Sequence, residues 1–461
     1  MNTPAKRQRV PVATRARAIS VPSDRQLRLV AVLCAVLLLL IVQQLQASPN
    51  ASTVDAADAE SAASWTQWRG PDRDGSVGGA RWPDDFAGLE RGWSVELGKG
   101  YGGAIVAGDR VFVVETVDEQ TEQVRALRRT DGTEIWRYSW QGGMDVPFFA
   151  KRNGNWVRST PAFDGERLFV GGMQERFFAL DAGSGELVWS IDFPKAYDTR
   201  QPDFGFSSSP MVDDGAVYVQ AATSLFKLDA ASGDVIWRAL EGADDIMSGG
   251  AFSSPTIAEL HGQRQLLVQT RSTLHGLDPD TGESLWSHDV PSFRGMNILT
   301  PTVYDNSVFT STHRNNTFFY RIAQDGNGFQ VNEAWTHKAH GYMSSPVIID
   351  GHAYLHLGNR RMVCIDLATG EDKWTSEPLS EYLSMTYQND RILALGAEGT
   401  LYLIRATPER LEIVDQKEAA SESSWAHLAI AGDEIYVRSL EGLARWTWPR
   451  GTGAAGAPSA E

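Results

Sequence analysis

His352 and His356 stand four residues apart, the spacing at which two imidazoles on one helical turn can share a zinc ion. The residues between them, Ala353-Tyr354-Leu355, are strand formers. Four strand residues span roughly 13 Å, too far for one metal. Asp72-x-Asp74-Gly75 opens like a calcium loop but lacks the later ligands, so a plain turn is expected there. His275, His313, His340 and His427 are candidate bases, but no Ser or Asp stands at a spacing that identifies a triad. The chain has two cysteines. Cys34 lies in an apolar segment and Cys364 in a predicted strand, which excludes a disulfide framework and a cysteine-based zinc site. Asn315-Asn316-Thr317 is read as a chance match to a glycosylation acceptor. These patterns assign no catalytic, cofactor-binding or metal-binding residue.

Other polar residues recur, and recurrence argues for structure. Asp181, Asp229, Asp278 and Asp366 occupy one position in a repeated line, where a capped turn is expected. Ser-Ser, Ser-Thr or Leu-Thr precedes a proline at Pro161, Pro210, Pro255, Pro301 and Pro346. These hydroxyls would start an innermost strand, and satisfying strand ends is the expected role.

The elements that carry these residues form a repeat. ALRRTDGTEIW (126–136), ALDAGSGELVW (179–189), KLDAASGDVIW (227–237), GLDPDTGESLW (276–286) and CIDLATGEDKW (364–374) align without gaps. The closing tryptophans are Trp93, Trp136, Trp189, Trp237, Trp286, Trp335 and Trp374, spaced by 43, 53, 48, 49, 49 and 39 residues. A period of 40–50 residues with four strand signals per unit predicts an all-β propeller of four-stranded antiparallel blades. Each tryptophan supplies area between blades and an indole N–H for a carbonyl. Six units close on a tryptophan, and a seventh runs from Tyr382 to about Asp415. An eighth, from about Trp425, lacks an outer strand, which Gly92–Leu97 would provide. Eight blades are therefore expected, with seven as the alternative. Closure by the N-terminal strand removes two exposed edges.

Two links between blades are long and aromatic. Tyr138–Arg158 carries Trp140, Phe148, Phe149 and Trp156, and Ser190–Ser207 carries Phe204 and Phe206. Exposed on one face of the ring, these six side chains would form a partner surface. The alternative is a local core folded over the channel mouth.

The ends differ from the body. Seven of 42 basic residues and one of 58 acidic residues fall in the first 50 positions. The remainder has 35 basic and 57 acidic residues, net −22, which argues against nucleic-acid binding. Residues 1–26 read as a basic cytoplasmic tail and 27–46 as one hydrophobic signal-anchor helix, with export after signal cleavage as the alternative. Residues 47–64 read as a flexible linker, 65–449 as the propeller and 450–461 as a disordered tail. The expected location is the inner membrane, single-pass, with a monomeric ring on the periplasmic side.

The LDA-x-[ST]-G-[DE]-x-x-W line, with Ser-Ser-Pro at the next strand, resembles the quinoprotein (PQQ-like) propeller repeat. The opening WTQWRGPDRDG (65–75) resembles the start of many exported propellers of that group. One branch of the group contains PQQ- and calcium-dependent dehydrogenases, with adjacent cysteines and a carboxylate–Asn calcium site. The other is a non-enzymatic, BamB-like scaffold. This chain has no adjacent cysteines and no matching calcium set, so the resemblance implies the scaffold branch, with protein partners in the envelope and no cofactor. A PQQ/calcium dehydrogenase and a small-ligand-binding propeller are the alternatives.

Overall fold

A computed structural model describes residues 64–242, 250–326 and 328–449. Eight sheets of four antiparallel strands are present. Blade 1 consists of Ile105–Ala107, Arg110–Val117, Thr121–Arg128 and Glu134–Gln141, ordered from the axis outward. Blades 2 to 7 repeat this order without a crossover. Blade 8 takes its three inner strands from Ala429–Ala431, Glu434–Arg438 and Gly442–Thr447. Its outer strand is Glu90–Glu96, paired antiparallel from Glu90↔Thr447 to Glu96↔Gly442. The two ends of the ring therefore meet inside one sheet, and the eight-blade count holds.

The repeated line has a direct physical reading. In blade 3, Asp229 ends the third strand, and its Oδ1 accepts from the Ala231 and Ser232 N–H groups at 3.0 and 2.8 Å. Asp181, Asp278 and Asp366 cap their turns in the same manner. Gly233 follows at φ +77°, a conformation that excludes most side chains. A Cβ there would also lie 2.6 Å from the Trp189 ring of blade 2. The turn of one blade thus lies flat on the tryptophan of the preceding blade.

The indole N–H groups complete the joint. Trp93, Trp136, Trp189, Trp237, Trp335 and Trp374 each donate to a turn carbonyl of the next blade, at 2.8 to 3.3 Å. Trp286 departs from the rule. Its indole donates to Gln265 Oε1 of its own blade at 2.7 Å. The next blade replaces the aspartate turn with a long hairpin, Thr317–Asp325 and Gly328–His337, so the usual acceptor is missing.

Apolar side chains fill the spaces between adjacent blades. A small additional cluster of Val146, Ala150 and Met173, with Met144 and Phe204, lies beneath the first long link. Among the described residues no helix is long and apolar enough to cross a membrane. The expected anchor at 27–46, the cytoplasmic tail, most of the linker and the C-terminal tail lie outside the described residues.

Candidate functional site

Strand direction sorts the loops. The links between blades leave on the same face as the turns between second and third strands. On that face all eight links converge on one cavity of about 190 Å³ over the channel. Tyr101 and Trp425 stack on its wall with ring centroids 5.3 Å apart. Phe204 meets Phe252 edge-on at 5.5 Å. Tyr342 and Arg158 complete the polar side of the wall.

The floor is Trp68, which belongs to no blade. It comes from the opening segment, which occupies the channel. Trp65 and Val106 of blade 1 exchange two backbone hydrogen bonds. Arg73, beneath Trp68, donates to the carbonyls of Pro255 at 2.8 Å, Pro210 at 2.8 Å and Ser209 at 3.1 Å. Arg69 donates to the Pro346 and Asp74 carbonyls, both at 2.6 Å. The segment leaves beside blade 7, where Val77 and Tyr387 N–H groups bond Tyr387 and Gly75 carbonyls.

This placement explains why proline follows the hydroxyl pairs. Proline has no N–H to donate, but its carbonyl still faces the axis. The hydroxyls join neighbouring inner strands instead. Ser209 Oγ accepts from Thr160 N at 3.0 Å, and Ser254 Oγ from Ser209 N at 2.9 Å. Ser345 and Ser384 make equivalent bonds to Thr300 and Leu428. The strand-end role expected for these hydroxyls is the one observed.

Burial sets the charges in the channel. Desolvation lowers the Arg73 pKa to about 9, helped by the neighbouring Arg69 charge, and lowers Arg69 to about 10. His427 is pulled down to about 3 by burial and Arg69, so its ring is neutral at physiological pH. Both guanidiniums lie near the Trp68 ring, at 5.7 and 5.8 Å from its centroid.

The six predicted partner-surface residues are scattered. Phe148 is 84% exposed, on a 3-10 helix, Phe148–Asn153. The side chain of Phe149 lies outside the described atoms. Trp156 is half-buried against Tyr101, and Phe204 lines the cavity. Trp140 and Phe206 are buried, which removes them from any surface. Trp140 is drawn inward by Glu122, whose Oε2 accepts its indole N–H at 2.7 Å. Phe206 packs on Phe177 of blade 2.

The metal candidates separate as well. His356 is buried between Ser344 and the Ser380 carbonyl, while His352 turns to the Asp350 carbonyl. Asp74 Oδ1 caps Ser76. No cluster of three metal-ligating side chains occurs among the described residues. Sequence reading missed Trp68, Arg69, Arg73 and Arg158. The available signal was an arginine- and tryptophan-bearing segment without strand pattern ahead of the first blade.

A family model described as outer membrane protein assembly factor BamB matches residues 120–376, more than half of the chain. The chain belongs to the BamB family. An outer membrane protein assembly factor BamB from Moranella endobia (strain PCIT) is 24% identical over 374 residues, covering 76% of this chain and 88% of that one. The BamB of Yersinia pestis is 24% identical over 248 residues, 53% of this chain and 56% of the relative. Among solved structures, BamB from Moraxella catarrhalis superposes with TM-score 0.56 at 15% identity, over 78% of this chain and 99% of that chain. A quinohemoprotein alcohol dehydrogenase from Pseudomonas putida HK5 gives 0.60 at 14% identity, over 90% and 84%. These structural likenesses are of fold alone.

The dehydrogenase likeness poses a chemical test for PQQ with calcium. Calcium takes oxygen ligands, chiefly carboxylates. Among the described residues the cavity is lined by no carboxylate, carries Arg158 in its wall and has Arg69 and Arg73 below its floor. A divalent cation would meet positive potential there, so the residues present do not fit that group.

Proposed function

We propose that this propeller is a non-catalytic binding scaffold at the cell envelope that engages a protein partner during protein assembly. Membership of a family described as an outer membrane protein assembly factor supports that reading. The observation that carries it is the filled channel. The chain's own segment occupies the axis with two arginines bonded to blade carbonyls, leaving the loop face as the surface for recognition. Phe148 marks the first long link as the point of contact, because a phenylalanine 84% exposed has apolar area to bury against another protein. The proposed layout places the propeller outside the cytoplasm, held to the inner membrane by residues 27–46 or released after cleavage, with 47–64 as the spacer.

The test is photo-crosslinking in cells from a reactive residue at position 148, with a second at exposed Asp433 on the opposite face as control. A discrete protein adduct from 148 and none from 433 is expected. No adduct at 148 under conditions that crosslink a known complex of the same envelope removes the first long link as the contact.

A further inference from the structure

Arg158 is a half-buried cation with no carboxylate partner among the described residues. One arm of its guanidinium donates to the Gly154 carbonyl at 2.7 Å, and its Nε is buried with no hydrogen-bond partner. The ionisable groups acting on it are the phenols of Tyr101 and Tyr342. A charge partly withdrawn from water without a counter-charge is costly to hold. Arg69 and Arg73 lie below the Trp68 floor, so positive potential from three guanidiniums converges on the cavity. This occurs in a protein whose body is strongly acidic. Aromatic side chains share the wall with Thr160 and three serines, with Tyr101 and Trp425 stacked on one side and Phe252 and Tyr342 among the other lining residues.

Size narrows the ligand. The cavity measures about 190 Å³, and an apolar cavity of about 150 Å³ holds benzene. We infer that it binds a small aromatic carboxylate, with the ring among the aromatic walls and the carboxylate on the Arg158 fork. Arginine suits this role because its planar donors match a carboxylate in two parallel bonds. The ligand replaces no existing ion pair, so the charge it brings is not offset by one it displaces. The site concerns a small molecule on the loop face and stands whether or not the propeller also holds a protein.

Calorimetric titration of the full chain with phenylacetate tests the site, with phenylacetamide as the uncharged twin and acetate as the ringless one. Saturable one-to-one binding of phenylacetate is expected, with both twins at least about tenfold weaker, a difference of roughly 1.4 kcal/mol. Equal binding of the amide overturns the carboxylate assignment. No saturable phenylacetate binding up to about 10 mM, equivalent to less than roughly 3 kcal/mol of binding free energy, overturns the site. Arg158→Gln is expected to erase the preference for acid over amide while near-UV circular dichroism is unchanged. A folded variant that keeps the preference overturns the role of Arg158. If the variant fails to fold, the comparison of acid and amide on the natural chain decides alone.

Discussion

At the rim, blade meets blade through a tryptophan and a turn; along the axis, blades are joined by two arginines from outside the repeat. The rim contact is small, half-exposed and used six times with the same donor and acceptor. The axial contact occurs once. Arg73 alone holds carbonyls of blades 3 and 4, and Arg69 reaches blade 6. Repetition spreads stability over many replaceable joints, as expected when each unit contacts only its neighbours. The axial segment concentrates it in a few buried donors.

The sharpest way to break this comparison is Arg73→Met. The change leaves three buried carbonyls without their donor, and each buried polar group left unpaired costs about 1–3 kcal/mol. A loss of about 3 kcal/mol or more is expected in equilibrium urea unfolding. Asp229→Ala removes two exposed backbone caps at the rim and is expected to cost about 1 kcal/mol. Equal losses in the two variants would mean that the axis contributes no more than one rim joint.

A second test uses Glu122, a buried acid in the third strand of blade 1 that accepts from Trp140 of the first long link. Glu122 is held well above the ordinary carboxylate range, at about 7, because burial outweighs the hydrogen bonds it accepts from Trp140 and Met173. A carboxyl whose folded pKa is raised binds its proton more tightly in the folded state. Its contribution is therefore most favourable below about pH 4.5 and is lost as pH rises through 7. Glu122→Gln is expected to flatten that part of the stability profile and to gain up to about 3 kcal/mol at pH 8, the order implied by such a shift. An unchanged slope between pH 5 and pH 8, measured against the natural chain at roughly the same ionic strength, would show that Glu122 is not the titrating group.

The same contrast governs what could be read in the sequence. The rim was legible because its signal repeats. Period, turn aspartate, glycine and tryptophan all agree, and even the closing strand was found within two residues of its observed start at Glu90. The link face was legible in part. Aromatic content and length pointed to Phe204, which lines the cavity, but could not separate it from Trp140 and Phe206, which are buried. The axis was not legible. Arg73 and Arg69 bond carbonyls 136 to 277 residues away, and nothing local to those arginines records such partners.

Trp286 gives the finest test, because it is a rim tryptophan that has lost the rim contact. Trp237→Phe removes an indole bond to the next blade but leaves the Pro279 carbonyl with Lys227 and Tyr218 as donors. A cost near 1 kcal/mol is expected for that bond, beyond the smaller ring. Trp286→Phe instead leaves Gln265 Oε1 unpaired inside the blade, where its Nε2 already lacks a partner. Its cost is expected to exceed that of Trp237→Phe by about 1 kcal/mol. The two variants have similar side-chain loss, so the difference in thermal unfolding isolates where the indole N–H points. If Trp286→Phe is the milder change, water reaches Gln265 on truncation, and the long hairpin of blade 5 has loosened the joint that the aspartate turn closes elsewhere.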